Sequence, residues 1–220
     1  VKDFVDDEFI FMATAKGTVK KTPLSDFSNP RKSGIIAIKL DNGDFLVGAG
    51  VTDGANDIVL VSNGGKAVWF DENDVRSMGR NARGVRGMKL VENQQVLSLL
   101  IASSDEQSVL VATENGFGKR TVLSEFRKSG RGTQGVKAIQ VSERNGIVIA
   151  AKLVGDHDEL MLITTGGVLI RTRVSEIREL GRATQGVTLI NLSKDEKLSG
   201  IEKIVETDQI DDDGQDELQI

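Results

Sequence analysis

The sequence predicts an all-β fold, a propeller-like repeat of about four four-stranded blades with little helix. Three observations predict it: glycines in a register of about 50 residues, a short apolar run before each, and many glycines beside few prolines. The register glycines are Gly17, Gly65, Gly116 and Gly167, at spacings of 48, 51 and 51. The 220 residues include 24 glycines and 2 prolines, which is typical of many short strands joined by turns.

The apolar run before each register glycine is a strand candidate. Four consecutive apolar residues begin at Phe9, Ile58, Val109 and Leu160, which predicts strands buried on both faces. The glycine that follows suits a tight hairpin with a positive φ. A second glycine in each unit is followed directly by Ile or Val, namely Gly34, Gly84, Gly135 and Gly186. Each unit then ends in a further apolar strand.

These units predict one repeat domain over 1–205, with blades at approximately 5–54, 55–105, 106–157 and 158–205. One small sheet cannot bury both of its faces, so neighbouring blades must stack. Helix is limited to single turns near Leu24–Phe27, Asp74–Met78, Leu123–Phe126 and Val174–Ile177. Residues 206–220 form an acidic tail whose composition predicts disorder.

The net charge of −5 conceals an uneven distribution. Residues 206–220 hold seven acids and no base, so the remaining residues carry +2. Residues 16–186 hold 24 Lys and Arg against 19 Asp and Glu. The sequence has no cysteine and no apolar run of membrane-spanning length, so we expect a soluble intracellular protein.

Basic residues recur at fixed distances after the register glycines. Four residues after them come Lys21, Arg120 and Arg171, with Trp69 in the second unit. Eleven residues after them come Arg76, Arg127 and Arg178. Fifteen residues after them come Arg80, Arg131 and Arg182, and Arg31 or Lys32 fills this column in the first unit. Lys20, Lys119 and Arg173 lie beside the first column.

Because blades are related by rotation, each column becomes a ring or spiral of positive charge. On the outer rim, such a track would follow the regularly spaced phosphates of duplex DNA. Binding of this kind is salt-sensitive and nearly independent of sequence. The alternative for any single residue is that its charge only keeps an outer strand face hydrated and binds no partner molecule.

Several strings resemble blades of the DNA gyrase A C-terminal domain family, over about 9–205. They are residues 11–22, 84–87, 115–121, 171–177 and 181–187. The resemblance implies a β-pinwheel whose blades exchange strands and whose basic perimeter wraps double-stranded DNA. It further implies an ATP-dependent type II topoisomerase of the bacterial cytoplasm, nucleoid-associated, that introduces negative supercoils. The implied partners are the remainder of gyrase A and the gyrase B protein in an A2B2 enzyme. No cofactor is expected on this chain, since ATP and Mg²⁺ would be used elsewhere in that enzyme.

Two departures from the family pattern bear on wrapping. The family domain usually has six blades where we count four, and its Gln-Arg-Arg-Gly-Gly-Lys-Gly-like box does not occur in this sequence. We therefore expect a fragment that begins near the third blade, and the resemblance implies that loss of the box weakens or abolishes wrapping even where DNA still binds. The rival interpretations are the paralogous topoisomerase IV domain, a propeller that acts as a protein-interaction scaffold and, more remotely, an enzymatic propeller.

The sequence offers no catalytic constellation. It contains no tyrosine, the residue that a type II topoisomerase uses for its covalent link to DNA. The single histidine, His157, lies in a polar run that predicts a surface loop, and we expect no metal site. Trp69 is expected to pack on its neighbours. The acidic tail could compete with DNA for the basic rim.

Overall fold

The computed structural model describes residues 3–204 and consists of short strands, turns and single 3₁₀ turns. This confirms the all-β prediction. The predicted tail, 206–220, lies outside the described residues. Within 3–204, no helix has the length and apolar character that crossing a bilayer requires.

The elements are numbered in chain order. The strands are β1 (Phe9–Thr14), β2 (Thr18–Pro23), β3 (Leu46–Thr52), β4 (Asp57–Ser62), β5 (Lys66–Asp71), β6 (Val85–Arg86), β7 (Val96–Ala102), β8 (Ser108–Thr113), β9 (Phe117–Val122), β10 (Val136–Lys137), β11 (Val148–Val154), β12 (Glu159–Thr164), β13 (Leu169–Arg173), β14 (Val187–Thr188) and β15 (Leu198–Ile204). The 3₁₀ turns are Leu24–Phe27, Glu72–Asp74, Leu123–Glu125 and Val174–Glu176. The turn predicted at Asp74–Met78 was therefore placed too late, because the helical turn follows β5 directly.

The strands form four antiparallel sheets in which the first three each borrow one strand from the next unit. The first has the order β3-β1-β2-β6, the second β7-β4-β5-β10 and the third β11-β8-β9-β14. The outermost strands β6, β10 and β14 each come from the following unit, which confirms the exchange of strands that the resemblance implied. The fourth sheet, β15-β12-β13, has three strands within residues 3–204.

We call the boundary between consecutive sheets a seam, and the three seams are built alike. At each seam, two backbone amides of the following unit donate to the carbonyl oxygen of the register glycine. Ala138 and Ile139 donate to Gly65 at N···O distances of 2.8 and 3.2 Å, and Leu189 and Ile190 donate to Gly116 at 2.8 and 3.3 Å. Gly87 and Met88 donate in the same way to Gly17. The register glycines have φ of +75° to +82°, as the hairpin prediction required.

The apolar core lies in three clusters, one between each pair of neighbouring sheets. Along β4, Ile58 and Leu60 belong to the first cluster, whereas Val59 and Val61 belong to the second. All four are fully buried. The continuous apolar runs are explained by this arrangement, because alternate side chains of one strand fill two different seams.

Within residues 3–204, the first and fourth units each have one side that no neighbouring unit covers. A Cβ atom built on Gly116 would lie 2.6 Å from the Ile190 carbonyl oxygen, but one on Gly167 would meet nothing within 4 Å. At the other end, Gly34 likewise has no neighbour within 4 Å of such an atom. Leu169 of β13 and Ile36 are accordingly 62% and 65% exposed.

Candidate nucleic-acid interface

Three equivalent loops carry six of the fourteen predicted basic residues. Each runs from a 3₁₀ turn to an exchanged strand, over 75–84, 126–135 and 177–186, and we call them the seam loops. Each is fixed on the preceding sheet by a backbone hydrogen bond, for example from Ser129 N to Trp69 O (2.8 Å) and from Leu180 N to Arg120 O (2.9 Å). The seams therefore set the spacing at which the loops, and the arginines on them, follow one another.

The seam loops expose a cation at the same place in each unit. Arg76, Arg127 and Arg178 are exposed, and none of them makes an ion pair with any residue of 3–204. In the first unit, Arg31 and Lys32 are exposed on the corresponding stretch. These side chains are the ones that the structure leaves available to a polyanion.

The second arginine of each seam loop is more constrained. Arg131 is exposed, but its guanidinium donates to the carbonyl oxygens of Asp74 (2.9 Å) and Arg86 (3.0 Å). Arg80 is partly buried and donates to Ile36 O at 3.3 Å. Arg182 is partly buried, and its guanidinium makes no hydrogen bond or ion pair within residues 3–204.

The expectation that Lys20, Lys21 and Lys119 lie on an exposed rim is wrong. Lys20 and Lys119 have no exposed surface and Lys21 is 3% exposed. The Lys21 ammonium pairs with the buried carboxylate of Glu72 at 2.8 Å and lies 4.2 Å from the centre of the Phe9 ring. These cations are buried because carboxylate or carbonyl oxygens of the neighbouring unit satisfy them.

Three further predicted cations are engaged by acids. The Arg120 side chain, 13% exposed, pairs with Asp156 and donates from Nε to Ile177 O at 2.8 Å. On β13, Arg171 and Arg173 are exposed but share the Glu159 carboxylate, with Arg173 Nε at 3.6 Å from Oε1. A carboxylate beside them weakens their attraction for phosphate.

The second unit replaces the cation of the first column with Trp69. Its ring is 7% exposed, lies in the second core cluster and donates from Nε1 to Asp57 Oδ2 at 2.9 Å, which confirms that it packs on its neighbours. Lys128 lies 5.9 Å from the ring centre and pairs with Asp57 at 2.6 Å. Its two carboxylate partners, Asp57 and Asp71, raise the pKa of Lys128.

Two exposed cations that sequence reasoning missed lie on the exchanged strands. Arg86 of β6 and Lys137 of β10 occupy the same position, two residues after the second glycine of their units. The carbonyl group of Arg86 also receives the Arg131 guanidinium, so strand and seam loop are adjacent. In the sequence, the position two residues after the second glycine forms a further column, but only two of its four residues are cations.

The sequence matches known proteins over nearly its whole length. The family model for the DNA gyrase C-terminal domain, a β-propeller, matches residues 8–53, 56–103, 107–154 and 158–204. The chain belongs to this family. The DNA gyrase A protein of Pseudomonas aeruginosa is 56% identical over 204 residues, which are 93% of this chain and 22% of that protein. The gyrase A protein of Escherichia coli K12 is 48% identical over 206 residues, or 94% and 23%.

Solved structures show the same architecture. A DNA gyrase A C-terminal domain superposes with a TM-score of 0.82 at 29% identity, covering 93% of this chain and 68% of that one. The C-terminal domain of a DNA topoisomerase IV gives a TM-score of 0.88 at 30% identity, covering 93% and 64%. The chain thus spans about two thirds of these domains and about a quarter of the curated gyrase A proteins.

Outside the seam loops, the gyrase-family domain offers little for chemistry. Within residues 3–204, no group of three or more His, Asp or Glu side chains is placed to hold a metal ion. His157 is exposed in the turn between β11 and β12, as predicted. An open groove of about 570 Å³ lies between Arg31 and Arg80, and it continues the basic surface of the seam loops.

The buried lysines give this gyrase-family domain an unusual dependence on pH. Burial lowers the pKa of Lys119 to about 8 from its ordinary 10.5; Arg182 acts in the same direction and Glu125 opposes it. Burial also lowers the pKa of Lys20. Between pH 8 and 10.5 the unfolded chain therefore binds more protons at Lys119 than the folded chain, so this residue makes stability rise with pH there.

We expect urea unfolding to reveal this dependence. From pH 7.5 to 10, the free energy of unfolding of the wild type should increase relative to that of Lys119→Met, in which the titrating group is absent. Comparison with the variant at each pH cancels the other titrations. Parallel curves for the two proteins would contradict the assignment.

Proposed function

We propose that this domain binds duplex DNA without sequence preference along the exposed cations of the seam loops. The observation that carries this proposal is that Arg76, Arg127 and Arg178 recur at equivalent, exposed positions on three successive seams, without an ion-pair partner among residues 3–204. Arg31, Lys32, Arg86 and Lys137 extend this surface. Arg80, Arg131 and Arg182 contribute charge from the same loops, and the remaining predicted cations support the fold.

A track of this kind favours bent DNA. The phosphates of a duplex attract a cation at each seam, and each neutralised phosphate releases condensed counterions. Bending a site of 20–30 bp costs on the order of 1–6 kcal/mol, so several seams acting together are needed to offset it. A surface that curves with the sheets therefore supports wrapping rather than a single contact.

In the complete protein, we propose that the domain serves an ATP-dependent type II topoisomerase of the bacterial cytoplasm that introduces negative supercoils. The relatives named as DNA gyrase A support this interpretation. Its partners would be the rest of gyrase A and the gyrase B protein, with ATP and Mg²⁺ used outside this chain. The likeness to a topoisomerase IV domain supports that paralogue as the second candidate, but the identity to the gyrase A proteins is higher.

The test is binding to a duplex of about 40 bp across a salt series, with the topology of relaxed plasmid measured in parallel. The logarithm of affinity should fall with the logarithm of salt concentration by roughly 0.9 per phosphate neutralised. Replacing Arg76, Arg127 and Arg178 together by alanine should make this slope shallower by up to about 2.7.

The matched control replaces three exposed cations outside the seam loops, Arg144, Lys194 and Lys203, by alanine. Both triple variants lose the same net charge, so the comparison tests whether the position of the charge matters. Equal losses in the two variants would contradict a localised surface. Absence of binding by the wild type at low salt would favour a protein-interaction scaffold, and binding without a topological shift would limit the function to contact without wrapping.

A further inference from the structure

Lys119 and Arg182 belong to different units but meet at the third seam. Lys119 lies on β9 with no exposed surface. Its Nζ donates to Gly181 O (2.6 Å), Arg182 O (2.9 Å) and Thr121 Oγ1 (3.1 Å). An ammonium group has three donors, so all of them are used inside the protein. The buried Lys119 side chain therefore binds the backbone of the seam loop and is not available to a ligand.

The two residues that follow Lys119 fix the rest of the same loop. The Thr121 hydroxyl donates to Leu180 O at 2.7 Å, and Arg120 Nε donates to Ile177 O at 2.8 Å. Carbonyl oxygens carry partial negative charge and would repel a phosphate group. Because side chains of β9 bind these carbonyl oxygens, the seam loop is held in one conformation. The Arg182 guanidinium then has no partner within residues 3–204.

The other seams provide an internal comparison. At the first seam, Lys20 takes the place of Lys119 and donates to Ala37 O at 2.7 Å and to Arg80 O. At the second seam the corresponding residue is Val68, and there Arg131 holds the loop with its own guanidinium. Arg80 at the first seam also donates to a carbonyl oxygen, so of the three loop arginines only Arg182 has a guanidinium without a hydrogen bond within residues 3–204.

We propose that Lys119 is a positioning residue of the DNA-binding surface, which anchors the third seam loop so that Arg182 remains available to phosphate. Lys20 likewise anchors the first seam loop, although Arg80 there also donates to Ile36 O. This inference rests on the proposed function, since it assigns Arg182 a role in binding DNA.

A double-mutant cycle on the 220-residue chain tests it. The variants are Lys119→Met, Arg182→Ala and their combination, each measured for affinity to the 40 bp duplex across the salt series. Lys119→Met should weaken binding several-fold and make the salt slope shallower by up to about 0.9, as Arg182→Ala does. The combination should bind no more weakly than Arg182→Ala alone, because Lys119 acts through Arg182.

Hydrogen exchange of the amides of 178–186 is measured on the same proteins without DNA. Lys119→Met should exchange faster there, while the strands of the second sheet exchange as in the wild type. Additive losses of affinity, or unchanged affinity in a folded Lys119→Met, would overturn the proposal. If the wild type does not bind DNA, the proposed function fails, and the exchange data still decide whether Lys119 anchors the loop.

A second variant covers the case in which Lys119→Met does not fold. Thr121→Val removes the hydroxyl that donates to Leu180 O but nearly preserves the shape of the side chain. It should give a smaller loss of affinity with the same non-additivity toward Arg182→Ala. A folded Thr121→Val that shows neither faster loop exchange nor weaker binding would also overturn the proposal.

Discussion

Replacing Glu72 by glutamine should lower the free energy of unfolding by about 3–5 kcal/mol, because it leaves a buried lysine without its counter-charge. Glu72 is fully buried, and its Oε2 lies 2.8 Å from Lys21 Nζ across the first seam. Its Oε1 accepts hydrogen bonds from the backbone amides of Gly54 (2.9 Å) and Asn56 (2.8 Å). Glutamine can keep both of these bonds through its amide oxygen, but its NH2 group then faces the Lys21 ammonium, so the variant removes both the counter-charge and the acceptor.

Urea unfolding measures the effect, and a second substitution identifies its cause. Combining Glu72→Gln with Lys21→Met removes both charges and should recover part of the loss, since much of the cost of removing one partner is the uncompensated charge left buried. The matched control is Asp41→Asn, which breaks an exposed pair with Arg83 at 3.0 Å and should cost no more than about 1 kcal/mol. A double variant as unstable as Glu72→Gln would show that the cost has another origin.

The strands and hairpins could be predicted because their signals are local. Ile58, Val59, Leu60 and Val61 form a continuous apolar run, and that run is buried on both faces. The register glycines adopt the positive φ that a tight hairpin needs. Trp69 could be expected to pack inside because an indole ring in a column of cations has a large apolar surface to bury.

Which cations face solvent could not be predicted in this way. The partners of Lys119 and Lys20 lie about 60 residues further along the chain, in the next unit. A lysine in a strand is normally assigned to a solvent-facing side, but β9, which carries Lys119, has no such side because the third sheet has a seam on each face. Glu72 shows the same limit, since the corresponding positions in the other units are Leu24, Leu123 and Val174, all buried and apolar.

Replacing Gly116 by alanine should destabilise the domain by about 3 kcal/mol, whereas Gly167→Ala should cost about 1 kcal/mol. Gly116 follows β8 and Gly167 follows the equivalent strand β12. Both glycines have a φ of +80°, so the conformational cost of a side chain is the same at the two positions. Only Gly116 faces a seam, where the new Cβ would lie 2.6 Å from the Ile190 carbonyl oxygen. Relieving that contact would also disturb the two amides that donate to the Gly116 carbonyl group.

The difference between these two variants measures the contribution of one seam, because the shared backbone strain cancels. Urea unfolding of Gly116→Ala, Gly65→Ala and Gly167→Ala provides the comparison, and Gly65 should behave like Gly116, since its Cβ would lie 2.6 Å from Ile139 O. Equal losses at all three positions would mean that turn strain alone decides the cost. A larger loss at the two seam positions would show that the backbones of neighbouring units pack too closely there for a side chain, and that this contact stabilises the stack.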